Sequence, residues 1–258
     1  RKLINQGKIA DVGYDKNLNY ELLISLKPDI VMTYGIGSET ANYINKLNEL
    51  GIKVIINAEY LEQTPLAKAE WLKFVAALYN KERIANKQFS LIENEYNSLK
   101  SRLPGIDSII PKPTVLTNTP MNDIWYVPGG NSYVAKLIKD AGGKYMWDNN
   151  KSRESIALSI EAVFEKAHSA DVWINPGSAN NIQDIVAVDE RLKNFKAYKN
   201  NNIFNNNAIQ NEFGSNDYWE SGLINPHIIL KDLIYIFHPE VLPEHKLVYY
   251  KNIAIAEY

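Results

Sequence analysis

The chain has 258 residues, 45% of them hydrophobic, a net charge of −2 and no cysteine. That length supports one large or two small α/β domains with real cores. Nothing in the near-neutral balance suggests a nucleic-acid binder, which needs a basic face, and the missing cysteines exclude disulfides, thiolate metal sites and a cysteine nucleophile.

Residues 2–7 read as a helix end closed by Gly7, and 9–13 as a short strand. Asn19 is placed to cap a helix that runs to Leu26 and stops before Pro28, because proline disfavours helix in the residue preceding it. Residues 29–33 (DIVMT) are apolar and β-branched, the pattern of a buried parallel strand. A loop over 34–38 leads into a helix over 39–50 capped by Gly51. The next strand is 53–56. This alternation argues for a parallel sheet. A helix over 65–79 is followed by a long one over 81–103. In the latter, Ala85, Phe89, Ile92, Tyr96, Leu99 and Leu103 recur at steps of three and four, one continuous apolar stripe. About 22 residues at 1.5 Å rise span roughly 33 Å, enough for a strut between two halves.

The second half restarts the pattern. Strands are expected at 114–117, 171–175 and 203–204. Residues 125–132 (WYVPGGNS) read as a loop feeding a helix over 133–141, closed by Gly142 and Gly143. Further helices are expected at 160–167 and 223–237. No run approaches 18 consecutive apolar residues, so no membrane-spanning helix is expected. The chain opens at Arg1 inside a helical pattern, so an N-terminal portion is expected to precede it.

Two segments resemble each other. Leu18-Asn-Tyr-Glu21, an apolar helix, Asp29 opening a strand and a glycine loop form the first. Leu158-Ser-Ile-Glu161, an apolar helix, Asp171 opening a strand and a glycine loop form the second. The repeat implies two related lobes. Ligands of such lobes bind outside the carboxyl ends of the parallel strands. Each glutamate lies in a helix's first turn, where an acidic side chain also meets the helix dipole favourably, worth about 0.3–1 kcal/mol.

Together these segments resemble the cobalamin-, siderophore- and heme-binding proteins of ABC importers. The resemblance runs through Ile9-Ala-Asp-Val-Gly13, Glu21 ahead of Lys27-Pro-Asp-Ile-Val31, Leu50-Gly-Ile-Lys-Val54, Gly129-Gly-Asn-Ser132, Ala141-Gly-Gly143, Ser159-Ile-Glu161 and Ala170-Asp-Val172. It covers nearly the whole chain. It implies an α/β fold of two lobes with parallel-type sheets flanked by helices: an N-terminal lobe over 1–79, a bridging helix over 80–104 and a C-terminal lobe over 105–258. Relatives begin with a strand and helix ahead of Ile9, so the first lobe is expected to be N-terminally truncated here.

The resemblance further implies an extracytoplasmic, non-enzymatic, monomeric binder without a cofactor, periplasmic or lipid-anchored outside the cytoplasmic membrane. It would take a metal-chelate ligand (corrinoid, ferric siderophore or heme) in the cleft between the lobes and deliver it to a membrane permease. Glu21 and Glu161, one per lobe, fall on the positions that dock onto permease arginines. Tyr14, Asp15, Tyr34, Gly35, Ser38, Trp125, Tyr126, Gly130, Asn131, Arg153, Tyr218 and Trp219 fall on or near the ligand loops. As packed loop anchors the same residues would serve the fold alone.

The chain has five arginines. Few bidentate guanidinium donors suit a neutral or weakly charged ligand better than a tri-anionic one. His168, His227, His238 and His245 form no ligand-spaced cluster, and no metal site is expected. No GxSxG, HExxH or P-loop pattern is present. Two other classes fit such paired lobes: a chelatase-like tetrapyrrole enzyme, which needs a histidine and a carboxylate facing the cleft, and an interaction module without a ligand.

Overall fold

The computed structural model describes residues 2–14, 17–35, 38–103 and 111–255, the side chains of 38–41 excepted. The chain forms two compact units, Arg1–Leu61 and Glu62–Tyr258.

The first unit holds α1 (Lys2–Asn5), α2 (Tyr20–Leu26), β1 (Val31–Tyr34), α3 (Ser38–Glu49) and β2 (Val54–Asn57). Asn19 caps α2 as its sequence predicts, its Oδ1 accepting from the Leu22 N–H at 2.9 Å. β1 and β2 pair in parallel with Val31 opposite Val54 and Tyr34 opposite Asn57. Leu23, Tyr43, Leu47 and Ile52 are buried together as a small core. The strand expected over 9–13 does not form. Its backbone groups are used in local turns: the Asp11 carboxylate accepts from the Gly13 N–H at 2.8 Å, and the Val12 carbonyl accepts from the Asn19 N–H at 2.8 Å. Gly13 sits at φ +83°, where a side chain would be strained.

The second unit opens with α4 (Pro65–Ala77) and α5 (Glu82–Ser101). The stripe read along α5 is buried at every position from Ala85 to Leu103. α5 packs against α4 and against α11 (Pro226–Phe237), where the Lys231 ammonium pairs with the Glu95 carboxylate. The sheet behind these helices has five strands: β3 (Thr114–Thr117), β5 (Lys144–Tyr145), β7 (Val172–Ile174), β8 (Ile203–Asn205) and β9 (Lys251–Asn252), in the order β5-β3-β7-β8-β9. All its pairings are parallel except β8 with β9. β7 is buried at all three positions, as a parallel strand covered on both faces must be. The flanking helices are α6 (Tyr133–Asp140), α7 (Ile160–Ala167), α8 (Ile182–Val188), α9 (Lys196–Lys199) and α10 (Ser221–Ile224).

In the second unit two further elements differ from the sequence reading. The segment expected as a loop over 125–132 begins as a strand, β4 (Ile124–Val127), antiparallel to β6 (Ile156–Ser159). The Trp and Tyr side chains that suggest an exposed loop lie on opposite faces of this ribbon. The helix expected over 223–237 is two helices, because Pro226 has no N–H to extend α10 and instead starts α11 at its first position.

The C-terminal segment is fixed by one carboxylate. Asp232 on α11 is fully buried, and it accepts from the N–H groups of Val248, Tyr249 and Tyr250 at 2.7–3.1 Å and contacts His245 Nε2 at 2.7 Å. Removing the carboxylate leaves those donors unpaired inside the protein, so Asp232→Ala should lower stability by at least ~3 kcal/mol. Urea denaturation of the full chain checks this; a loss below about 1 kcal/mol contradicts it.

Candidate functional site

In the first unit the carboxyl ends of β1 and β2 carry Tyr34 and Asn57. Tyr34 is 54% exposed, and its ring meets that of Tyr60 edge-on, with centroids 6.1 Å apart. Its carbonyl accepts from the Tyr43 hydroxyl at 3.1 Å, so the backbone beneath the ring is held. Gly35 continues this surface; a Cβ there would stand 3.2 Å from Ile56 Cγ2 and 3.9 Å from the Tyr60 hydroxyl. Tyr14 is exposed beside Asn17, whose amide donates to its hydroxyl at 3.2 Å. Ser38 begins α3. Asp15 lies outside the described residues.

In the second unit the expected wall residues separate. Trp125 is a core residue, not a wall. It has no exposed surface, its indole N–H donates to the Thr117 carbonyl at 3.0 Å, and its ring lies 5.7 Å from Trp173 and 5.8 Å from Phe195. The alternation of β4 sends Trp125 inward and Tyr126 outward, leaving Tyr126 41% exposed. Gly130 makes room for backbone: a Cβ there would come within 2.3 Å of the Asn150 carbonyl oxygen. Asn131 is exposed and donates to the Lys151 carbonyl at 3.0 Å. Arg153 is exposed, and its Nη1 donates to the Gln63 side-chain oxygen at 2.8 Å once that amide is turned to satisfy both groups. Tyr218 is also core, fully buried, with its phenol pushed well above its ordinary range by burial. Its neighbour Trp219 is 53% exposed and meets it edge-on at 4.8 Å.

The sequence reading missed a cluster of amides at the carboxyl ends of β7 and β8. Asn175, Asn205, Asn206 and Asn207 are all buried. Asn205 Nδ2 donates to the carbonyls of Gly177 and Ala179 at 2.9 and 2.7 Å, and Asn207 Nδ2 to Asn180 Oδ1 at 3.0 Å. These bonds fix the 175–181 loop at the sheet edge where ligands of parallel sheets bind. The run of asparagines in the sequence was the available signal. It reads equally as a string of turns.

The glutamates of the repeat sit alike within their own units. Glu21 is exposed in the first turn of α2 behind its Asn19 cap, and it makes no ion pair among the described residues. Glu161 is in the first turn of α7 behind Ser159, whose Oγ accepts from the Ala162 N–H at 3.2 Å. Glu161 is 70% exposed at the side chain and takes a 2.7 Å hydrogen bond from Arg191 Nη1. That guanidinium holds the Glu161 carboxyl below its usual range.

Among the described residues no three His, Asp or Glu side chains are placed to hold a metal ion. The histidines do local work. His168 Nδ1 contacts the Phe164 carbonyl at 2.8 Å, His238 ends α11 and approaches the Gly142 carbonyl at 3.2 Å, and burial lowers the pKa of His227. No helix of the described residues is long and apolar enough to cross a membrane.

The family model for periplasmic binding proteins matches residues 1–208. The chain belongs to that family. An uncharacterized lipoprotein of Methanocaldococcus jannaschii is 35% identical over 248 residues, covering 95% of this chain and 56% of the relative. The chain thus spans little more than half the length of that relative. A vitamin B12-binding protein of Salmonella typhimurium is 27% identical over 145 residues, 56% of this chain and 51% of that protein. Among solved structures, a periplasmic heme-binding protein from Pseudomonas aeruginosa superposes with a TM-score of 0.70 at 15% identity, covering all of this chain and 88% of that one. A periplasmic heme-binding protein from Roseiflexus superposes with a TM-score of 0.67 at 21% identity, covering 90% and 84%. These likenesses establish the periplasmic-binding α/β fold.

The opposite fates of two adjacent aromatics are testable. Trp125→Ala should cost about 3–5 kcal/mol of stability, while Tyr126→Ala, on the outward face, should stay within about 1 kcal/mol. Chemical denaturation of both variants decides it; equal costs would contradict the register of β4 on β6.

Proposed function

We propose that this chain is the extracytoplasmic solute-binding component of an ABC importer for a metal chelate, with a corrinoid as its preferred ligand over a ferric siderophore or heme. The observation that carries this reading is the exposed Tyr34 ring, edge-on to Tyr60, at the carboxyl ends of the first unit's parallel strands. A ring held there offers an apolar face to a flat or bulky organic ligand. Tyr14, Gly35, Ser38, Tyr126, Asn131, Arg153 and Trp219 are the further residues proposed to contact it, with Gly130 contributing backbone only.

The preference for a weakly charged ligand rests on the arginines. Of five in the chain, Arg191 is bound to Asp189 and Glu161, and Arg153 reaches Gln63. A cluster of free guanidinium forks, which a highly anionic ligand would demand, is not supported by that arrangement. The vitamin B12-binding relative points the same way. Because two of the similar proteins carry the name lipoprotein, we place the chain on the outer face of the cytoplasmic membrane, held by a lipid and acting as a monomer. Glu21 and Glu161 are assigned to docking on permease arginines. Both are exposed at capped helix starts, where rim charges steer and register a partner more than they add affinity.

Calorimetry against cobalamin, cobinamide, heme and ferric siderophores tests the ligand. One-to-one binding with a corrinoid ahead of the others is expected, and Tyr34→Ala should weaken it about two- to tenfold. If no member of the panel binds, the reading fails. Docking is tested separately: Glu21→Arg with Glu161→Arg should abolish transport while the ligand Kd stays unchanged. Normal transport by that double variant would remove both residues from the interface.

A further inference from the structure

Arg191 is held by one acidic residue and offered to another. Its Nε donates to both Asp189 oxygens at 3.0 and 3.1 Å, its Nη2 donates to Asp189 Oδ2 at 2.7 Å, and its own N–H donates to Asp189 Oδ1 at 2.8 Å. Asp189 is itself mostly covered, with its side chain 17% exposed. One arm of the guanidinium, Nη1, is left to reach Glu161 at 2.7 Å across 30 positions of sequence. Arg191 and Glu161 are 52% and 70% exposed at the side chain, so this last contact is the outermost of the set. A planar fork clamped edge-on by one carboxylate is a rigid donor, and it presents Nη1 without help from Glu161.

The lysines near Arg191 and Glu161 in the sequence are engaged with other groups. Lys193 is paired with Glu190 next door, and Lys196 with Asp171 at 2.6 Å. Lys166, on α7 itself, lies over the Trp147 ring at 5.5 Å. Glu165 is exposed one turn after Glu161. Arg191, Asp189 and Glu161 together sum to one negative charge, enough to meet one incoming cation. Glu21, its counterpart in the repeat, has no such companion among the described residues.

We propose that Arg191 is a resident stand-in for a guanidinium of the docking partner: it occupies Glu161 in the free protein and yields it when a partner arginine arrives. This rests on the docking role proposed for Glu161. Exchange costs little, because Arg191 keeps every bond to Asp189 and gives up a single exposed one. It also makes the Glu161 contact weaker than the Glu21 contact, since the partner must displace a cation of its own kind. Arg191 holds Glu161 by one bond, so a partner guanidinium, which can make two, displaces it more readily than a lysine does.

The test measures binding of the full chain to its own ABC permease in nanodiscs, for the native protein, Arg191→Gln, Glu161→Gln and the double variant. Exposed pairs of this kind govern small factors, so Arg191→Gln is expected to tighten binding about two- to fivefold. Glu161→Gln is expected to weaken it, and Arg191→Gln should have no effect once Glu161 is gone. Ligand affinity should be unchanged in all variants, and Glu161→Gln, at a side chain 70% exposed, should leave the melting temperature unchanged, whereas Arg191→Gln lowers it modestly by taking the Asp189 bonds away. Unchanged or weaker binding by Arg191→Gln, with Glu161→Gln weaker, overturns the stand-in and leaves the docking role standing. Unchanged binding by Glu161→Gln overturns the docking role itself, and the stand-in with it.

Discussion

The parallel pairing of β3, β7 and β8 is the constraint on which the second unit depends. Parallel neighbours end on the same side, so Thr117, Ile174 and Asn205 finish along one edge of one sheet. The chain must then return to the other edge each time, and helices such as α9 make that return. The sheet is thereby covered on both faces, and its core fills with Trp125, Trp173 and Phe195 in mutual ring contact. The loop over 175–181 lies at the carboxyl edge. The buried amides of Asn205 and Asn207 tie the 175–181 loop down at that edge. The first unit repeats the arrangement on a smaller scale, with β1 and β2 ending at Tyr34 and Asn57.

Two kinds of surface result, and the chain treats them differently. At the strand ends of the first unit it exposes the Tyr34 ring, a group suited to organic ligands, and at those of the second it buries amides that hold the loop. On the helix starts before β1 and β7 it exposes carboxylates. The repeat in the sequence is the trace of this division, because the same cap, glutamate, helix and strand follow one another in both units. Among the described residues Glu161 has a partner within its own unit and Glu21 has none. The Arg191 contact gives the two otherwise similar glutamates different electrostatic settings.

Much of the fold was legible because the signals were backbone chemistry. Asn19 and Ser159 cap the helices they precede, Gly51 closes α3, and the α5 stripe is buried at each predicted position. The site was less legible, for a physical reason. A tryptophan next to a tyrosine reads as an aromatic loop until a strand register assigns one to each face, and only the pairing of Trp125 with Leu158 and Tyr126 with Ala157 does so. Tyr218 and Trp219 separate in the same manner, one buried and one exposed. The strand expected over 9–13 failed because an aspartate and a glycine two residues apart prefer a local turn to a ladder. The Glu161–Arg191 pair joins positions 30 apart and leaves no periodic trace in the sequence.

If the ligand is met at the carboxyl ends of the parallel strands, its binding must quiet the backbone there. Hydrogen exchange of the full chain with and without saturating cobalamin measures this directly. Slowed exchange is predicted at residues 34–35 and 57–60 and around 175–181, with α7 and its Glu161 turn unaffected. Protection confined to the helical faces, with the strand-end loops unchanged, would contradict it.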